Sequence, residues 1–258
     1  MKDIKIAFFD VDGTLMDMKK RVISEKMRET LRKLKENNVL ICIASGRGPC
    51  SLPVISDVEF DVFITYNGAY CYNADQVIFR DPIPKEDVKK IILNSAKINR
   101  PVSIGSADRV VANGKDQNMS EYYAFGKIVV EVGRDFDEVA ERDIYQIVTG
   151  CCAEEYDAVL KDVAQAKIVA WWDRAVDIIP VNCSKGLGIK KVLDHYHLAK
   201  ENAIAFGDGT NDIEMLQTVG MGVAMGNALE PVKAIADDVC GSAADDGIYY
   251  FCKEKGLI

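Results

Sequence analysis

Apolar residues in this chain come in short unbroken runs, and charged residues fill the stretches between them. "IKIAFFDV" (4–11), "VLICIASG" (39–46) and "FDVFITYNG" (60–68) place apolar residues on consecutive positions. Strands buried on both faces have this pattern, as in a parallel sheet with helices on each side. Between the first two lies "SEKMRETLRKLKENN" (24–38), where Met27, Leu31 and Leu34 share one helical face and Ser24 stands at the N-cap position. The alternation returns near the end of the chain. "KGLGIKKVLDHYHL" (185–198) reads as a helix, "NAIAFGDG" (202–209) as a strand, "TNDIEMLQTVG" (210–220) as a helix and "MGVAMG" (221–226) as a strand. A short helix, "PVKAIAD" (231–237), and a last strand, "DVCGSA" (238–243), follow.

The middle has a different grain. "PKEDVKKIILNSAKINR" (84–100) reads as a helix followed by two strands, "PVSIGS" and "RVVANG". "EEYDAVLKDVAQ" (154–165) is again a helix, followed by "AKIVAWW" and "AVDIIP". Strands joined by short turns pair antiparallel. A repeated helix-strand-strand unit therefore predicts an α+β layer, an antiparallel sheet with helices on one face. Prolines stand at both edges of this region, Pro82 and Pro84 before it and Pro180 near its end. The expected fold class is α/β: a Rossmann-like doubly wound parallel sheet core from residues 1–81 and 182–258, with an inserted domain at 82–181. One continuous mixed sheet is the rival arrangement.

Composition narrows the function. A net charge of −8 over 258 residues argues against nucleic acid and anionic membrane as partners. Eight cysteines contain no C-x-x-C pair and there are only two histidines, His195 and His197, which argues against zinc. No apolar run approaches membrane-spanning length, and the N-terminal run is too short for a signal peptide, so a cytoplasmic protein is expected.

In an open parallel sheet, ligands bind beyond the carboxyl ends of the strands. The first strand here ends at Asp10, with Asp12 two residues on; the second ends in Ser45, Gly46 and Arg47; the third in Asn67 and Gly68. The strand "AIAFG" ends at Asp208, with Asn211 and Asp212 opening the next helix. Any one of these is an ordinary turn or cap residue. Together they crowd carboxylates onto one rim, and such carboxylates need a cation or a proton between them. An oxygen-rich set without histidine suits Mg²⁺. A calcium EF-hand does not fit, because Leu15 and Arg21 stand where its glycine and glutamate belong. Lys185 begins a helix, where the macrodipole disfavours a cation, and so is a candidate for binding an anion. No P-loop is present, and "GMGVAMG" lacks the third glycine of a dinucleotide fingerprint. His195 and His197 read as solvated. Cys151-Cys152 and Trp171-Trp172 read as strand packing in the insert, with one tryptophan a candidate wall of a ligand cleft.

"DVDGTL", "IASGR", "SKG" and "GDGTNDIEML" resemble the four motifs of the haloacid dehalogenase superfamily of phosphotransferases. Their order and spacing are similar to its Cof-type branch, which carries a large α/β cap between the second and third motifs. The resemblance covers nearly the whole chain. It implies that Asp10 is the nucleophile, that Asp12 is the general acid and base, and that Ser45, Gly46 and Lys185 bind the phosphoryl group. It also implies that Asp208, with Asp10 and the Asp12 carbonyl, holds Mg²⁺, that Asp212 supports the metal, and that Asn211 contacts phosphate or substrate. The departures are Ser45, where Thr is commoner, a bulky Tyr66 beside the site, and the approach "PVNCSKG" to the lysine. The function implied is a Mg²⁺-dependent phosphatase of small phosphorylated metabolites, sugar phosphates or similar monoesters. A phosphomutase and a non-catalytic phosphometabolite-binding protein are the alternatives. A monomer or small homo-oligomer is expected, with the cap moving as a lid and setting specificity.

Overall fold

The structure is a computed structural model and describes residues 3–55, 57–129 and 131–258. It divides into two compact units: Met1–Gly46, Pro53–Arg80 and Ser184–Ile258 form the first, Arg47–Leu52 and Asp81–Cys183 the second. In chain order the first unit begins with β1 (Ile6–Phe9), α1 (Glu25–Glu36), β2 (Leu40–Ala44), β3 (Val62–Thr65), β4 (Tyr70–Asn73) and β5 (Val77–Arg80). The second unit holds α2 (Lys85–Lys97), β6 (Val102–Gly105), β7 (Val110–Ala112), α3 (Gln117–Phe125), α4 (Phe136–Ala140), β8 (Gln146–Thr149), α5 (Tyr156–Val159), β9 (Ala166–Val169) and β10 (Val176–Pro180). The first unit is completed by α6 (Lys185–His195), β11 (Ala203–Gly207), α7 (Ile213–Thr218), β12 (Met221–Ala224), α8 (Glu230–Lys233), β13 (Asp238–Val239) and α9 (Gly247–Glu254).

The first unit is an eight-stranded sheet in the order β13-β12-β11-β1-β2-β3-β4-β5. The strands from β13 to β3 pair parallel, while β4 and β5 add an antiparallel edge. The chain winds outward from β1 in both directions, so the strand order reverses between β1 and β11. Their carboxyl ends form the crevice where this architecture binds ligands. Both sheet faces are covered. Phe9 stacks on Phe206 at 5.4 Å, and Phe251 of α9 meets Phe206 edge-on at 5.7 Å. On the opposite face Gly188 of α6 packs against Ile64. Helix α1 starts where Ser24 Oγ accepts from the Met27 amide (3.0 Å) and buries Met27, Leu31 and Leu34. Each fully buried leucine contributes about 1.5–3 kcal/mol.

The second unit is a five-stranded sheet, β7-β6-β8-β10-β9, antiparallel throughout. One face carries Ile104, Ile147 and Ile178, which pack with residues of α2, α4 and α5, among them Val88, Ile91, Phe136, Val139 and Val159. The other face carries the row Ala112, Ser103, Val148, Asp177 and Val169. Helix α3 lies on it, through Met119 and Tyr123 against Ala112 and Val148. The helices are thus not all on one face, because α3 adds one to the second.

Other departures from the sequence pattern have local causes. The core sheet is mixed rather than wholly parallel, owing to β4 and β5. The helix expected over 154–165 is a single turn, α5, after a 3₁₀ turn at Ala153–Glu155, and the expected last strand is only β13. Trp171 and Trp172 do not pack within a strand, since β9 stops at Val169 and both stand in the turn before β10.

Candidate active site

β1 delivers Asp10 to the crevice and stops there. The chain turns at once, so Asp12 does not continue the strand and is half-buried on the following turn. Gly13 takes a positive φ (92°), and a Cβ there would collide with the Asp208 carboxylate. Glycine is what lets the loop after β1 lie against the loop after β11.

Lys185 is the first residue of α6, N-capped by Ser184 Oγ accepting from the Leu187 amide (3.1 Å). It is completely buried, and its Nζ donates at 2.6 Å to both Asp10 Oδ1 and Asp212 Oδ1. Burial alone would lower its pKa; the Asp10 and Asp212 charges outweigh burial and hold it above the usual lysine value. The other Asp212 oxygen, Oδ2, accepts from the Asp208 and Gly209 amides, each at 2.9 Å. Asp10, Asp208 and Asp212 each bring a carboxylate oxygen within 4.8 Å of the others. Burial holds Asp10 well above the ordinary carboxylate range, against the pull of Lys185 and helped by the neighbouring aspartates. Burial and the Asp212 charge push Asp208 up to about 6. Three carboxylates facing one ammonium are short of positive charge. The donors are hard oxygens, and the triad contains no histidine or cysteine. That chemistry fits a small divalent cation such as Mg²⁺.

The remaining predicted residues form a second set beside the triad. Ser45 is buried at the end of β2, and its carbonyl accepts from the Asn67 amide (3.0 Å). Asn67 adopts left-handed geometry (φ 54°), and its Oδ1 accepts from Asn211 Nδ2 at 3.0 Å. Gly46 packs against the Asn67 side-chain amide, and Gly68 (φ 96°) lets the backbone pass against the Ser184 carbonyl. Arg47 departs from this set. It belongs to the second unit, where its guanidinium donates to the Ser51 carbonyl (3.0 Å) and lies beside Gly126. Tyr66 is buried, as Ser45 and Asn67 on either side of it in the site are. His195 stacks edge-on against Tyr196 at 4.8 Å, and His197 is exposed.

Two residues here escaped the sequence reading. Thr14 Oγ1 donates to Asp208 Oδ1 (2.9 Å). Asn227 Nδ2 donates to Asp208 Oδ2 (3.2 Å) and to the Gly13 carbonyl (2.9 Å), while its Oδ1 accepts from the Ala243 amide (3.0 Å). That last bond fixes the amide orientation, so the NH₂ must face Asp208. Asn227 follows β12 closely, and the strand-end rule extended to "MGVAMGN" would have found it. If the triad holds a divalent cation, Asn227→Ala is expected to weaken that binding by about 10–100-fold, the usual cost of losing a partner that orients a ligand. Calorimetric Mg²⁺ titration checks this, and the melting temperature of the metal-free protein should change little.

The sequence profile of the haloacid dehalogenase-like hydrolase family matches residues 7–252. YkrA of Bacillus subtilis (strain 168), whose name assigns it provisionally as a phosphatase, is 34% identical over 99% of both chains. The 5-amino-6-(5-phospho-D-ribitylamino)uracil phosphatase YitU of the same organism is 30% identical over 95% of both. The solved structure of BT4131, described as a subclass IIB sugar phosphatase of the HAD superfamily, superposes with a TM-score of 0.85 at 31% identity, over 98% of this chain and 100% of that one.

Proposed function

We propose, since this chain belongs to the haloacid dehalogenase-like hydrolases, in their Cof-type branch (subclass IIB) with an inserted cap domain, that Asp10 is its nucleophile and that turnover passes through an aspartyl phosphate. The chain is a phosphatase of small phosphorylated metabolites. The observation that carries the assignment is Lys185, buried and held at 2.6 Å from Asp10. A cation this close favours the ionised, nucleophilic form of Asp10 against the burial that raises its pKa, and offsets the charge that develops on the phosphoryl oxygens.

In this reading an Asp10 oxygen attacks phosphorus, and the ester oxygen leaves with a proton from Asp12. Asp12 then takes a proton from water, which attacks the same phosphorus, releasing inorganic phosphate and restoring Asp10. The Ser45 hydroxyl, the Asn67 and Asn211 amides, Gly46 and Gly68 bind and orient the phosphoryl group. Arg47, next to Gly46 in the chain, remains a candidate phosphate ligand. Asp10, Asp208 and the Asp12 carbonyl would hold Mg²⁺, with Asp212 behind them. When bound, the ion supplies positive charge that polarises the transferring group.

We take residues 82–181 as the cap and assign it the choice of leaving group. The ribitylamino-uracil phosphatase and the sugar phosphatase support a phosphate ester carried on a polyol or sugar carbon. A phosphate-release screen over phosphate monoesters tests the whole reading. Release is expected with Mg²⁺, none in excess chelator, and poor rescue by Ca²⁺, which prefers more ligands at longer distance. Equal rates in chelator or with Ca²⁺ would contradict the metal assignment; conversion of substrate to an isomer without release would favour a mutase.

A further inference from the structure

The second unit carries a carboxylate for which packing gives no reason. Asp177 sits in the middle of β10, between Val148 of β8 and Val169 of β9 on the same face, and is only 4% exposed. A valine like its neighbours would cost nothing there, whereas burying a carboxylate costs several kcal/mol unless it is well paired. Asp177 has one hydrogen-bond donor among the described residues, the Tyr122 hydroxyl, at 2.6 Å from Oδ1. Among the described residues its other oxygen has no donor, yet it is not among the sealed buried atoms. That oxygen keeps a small opening to solvent.

What surrounds that opening is aromatic. Trp171 Nε1 donates to the Tyr122 hydroxyl (3.0 Å), and the two rings lie 5.0 Å apart. Phe125, at the end of α3, stands edge-on to both Trp171 and Trp172, 5.3 Å from each. The Arg174 guanidinium covers one face of Trp172 at 4.2 Å and pairs with Glu121 (2.8 Å). Trp171 nevertheless remains 52% exposed and Phe125 40% exposed. An aromatic ring pinned by a hydrogen bond and by ring neighbours, but left half in water, is already ordered for stacking and loses little entropy on binding.

We propose that Tyr122, Phe125 and Trp171, with Asp177 at their base, form a binding site on the second unit for a planar nitrogen heterocycle that carries an N–H donor. Such a ring stacks on Trp171 and donates to the free Asp177 oxygen. Burial pushes the Asp177 carboxyl up to about 7, so near neutrality the group both accepts from an amino group and donates to a ring nitrogen. A sugar fits less well. Its several hydroxyls each need a partner, and walls of aromatic carbon with one carboxylate would leave most of them unsatisfied. The site goes beyond the phosphatase reading, and its test does not depend on turnover.

The chain has two tryptophans, both in this cluster, so intrinsic emission reports on this surface alone. Titration of the full-length protein with cytosine, excited at the red edge of the tryptophan band, is expected to quench emission saturably. Methyl glucoside should have no effect. Asp177→Val should keep the fold, melt no lower than the parent, and weaken cytosine binding at least about tenfold, the loss of a buried hydrogen bond to a charged group. Tyr122→Phe, a second variant that spares the strand, should weaken it less. Absence of saturable quenching, equal quenching by the glucoside, or unchanged affinity in Asp177→Val would overturn the proposal. So would emission that follows protein dilution rather than cytosine, which would assign the surface to self-association.

Discussion

Asp10→Asn is expected to yield a folded protein that releases phosphate at least about 10⁴-fold more slowly than the parent, the scale on which nucleophile replacements act. The amide has the shape of the carboxylate and still accepts from Lys185 Nζ, which lies 2.6 Å from Asp10 Oδ1. It cannot form an acyl phosphate. The change also removes one of three crowded carboxylates, so a large loss of stability is not expected. Circular dichroism and phosphate release on the same purified sample separate the two effects. Turnover within tenfold of the parent would remove Asp10 from the chemistry.

Lys185→Met is expected to damage both stability and turnover. Its ammonium is sealed from water between Asp10 and Asp212. Removing it strands two buried carboxylates, which costs about 3–5 kcal/mol in comparable buried pairs. Turnover should fall by about 10²–10³-fold, as when a single preorganised donor to a developing oxyanion is lost. A double variant, Lys185→Met with Asp212→Asn, which keeps an acceptor for the Asp208 and Gly209 amides, should recover part of the stability because one stranded charge is gone, and should recover no turnover. Denaturant unfolding of the metal-free proteins measures the first effect. A single variant as stable as the parent would mean that the buried triad of charges is not as tightly held as its geometry implies.

The parts of this molecule that were legible in sequence were those where burial is complete. β1, β2, β3 and β11 are apolar on consecutive residues because both sheet faces are covered, and each ends by releasing polar residues at one rim. That is why Asp10, Ser45, Asn67 and Asp208 were found together, with Asp212 and Lys185 at the helix starts that follow. β4 and β5 were not found, because "YCYN" and "VIFR" lie at the sheet edge and are mostly half-exposed or exposed. Helix α3 buries only Met119 and Tyr123, four residues apart, too little for a periodic signal. Arg47 follows Ser45 and Gly46 in sequence, and the boundary between the two units falls between Gly46 and Arg47. Asn227 was passed over because its worth comes from a bond across 19 residues of sequence, to Asp208. Asp177 is one polar residue within the strand sequence "AVDIIP", and only the register shows that it is buried between valines.

The central claim is that Asp10 carries the phosphoryl group, and chemical trapping tests it most directly. Asp12→Asn protein should still be phosphorylated by p-nitrophenyl phosphate, whose leaving group needs no proton, yet should lose the base that activates water. With Mg²⁺ present, a burst of nitrophenolate close to one equivalent per chain is predicted. Acid quenching and borohydride reduction should then convert residue 10 to homoserine, since borohydride reduces an acyl phosphate and spares a free carboxylate. Either no burst, or a burst after which residue 10 is recovered only as aspartate, would contradict the account.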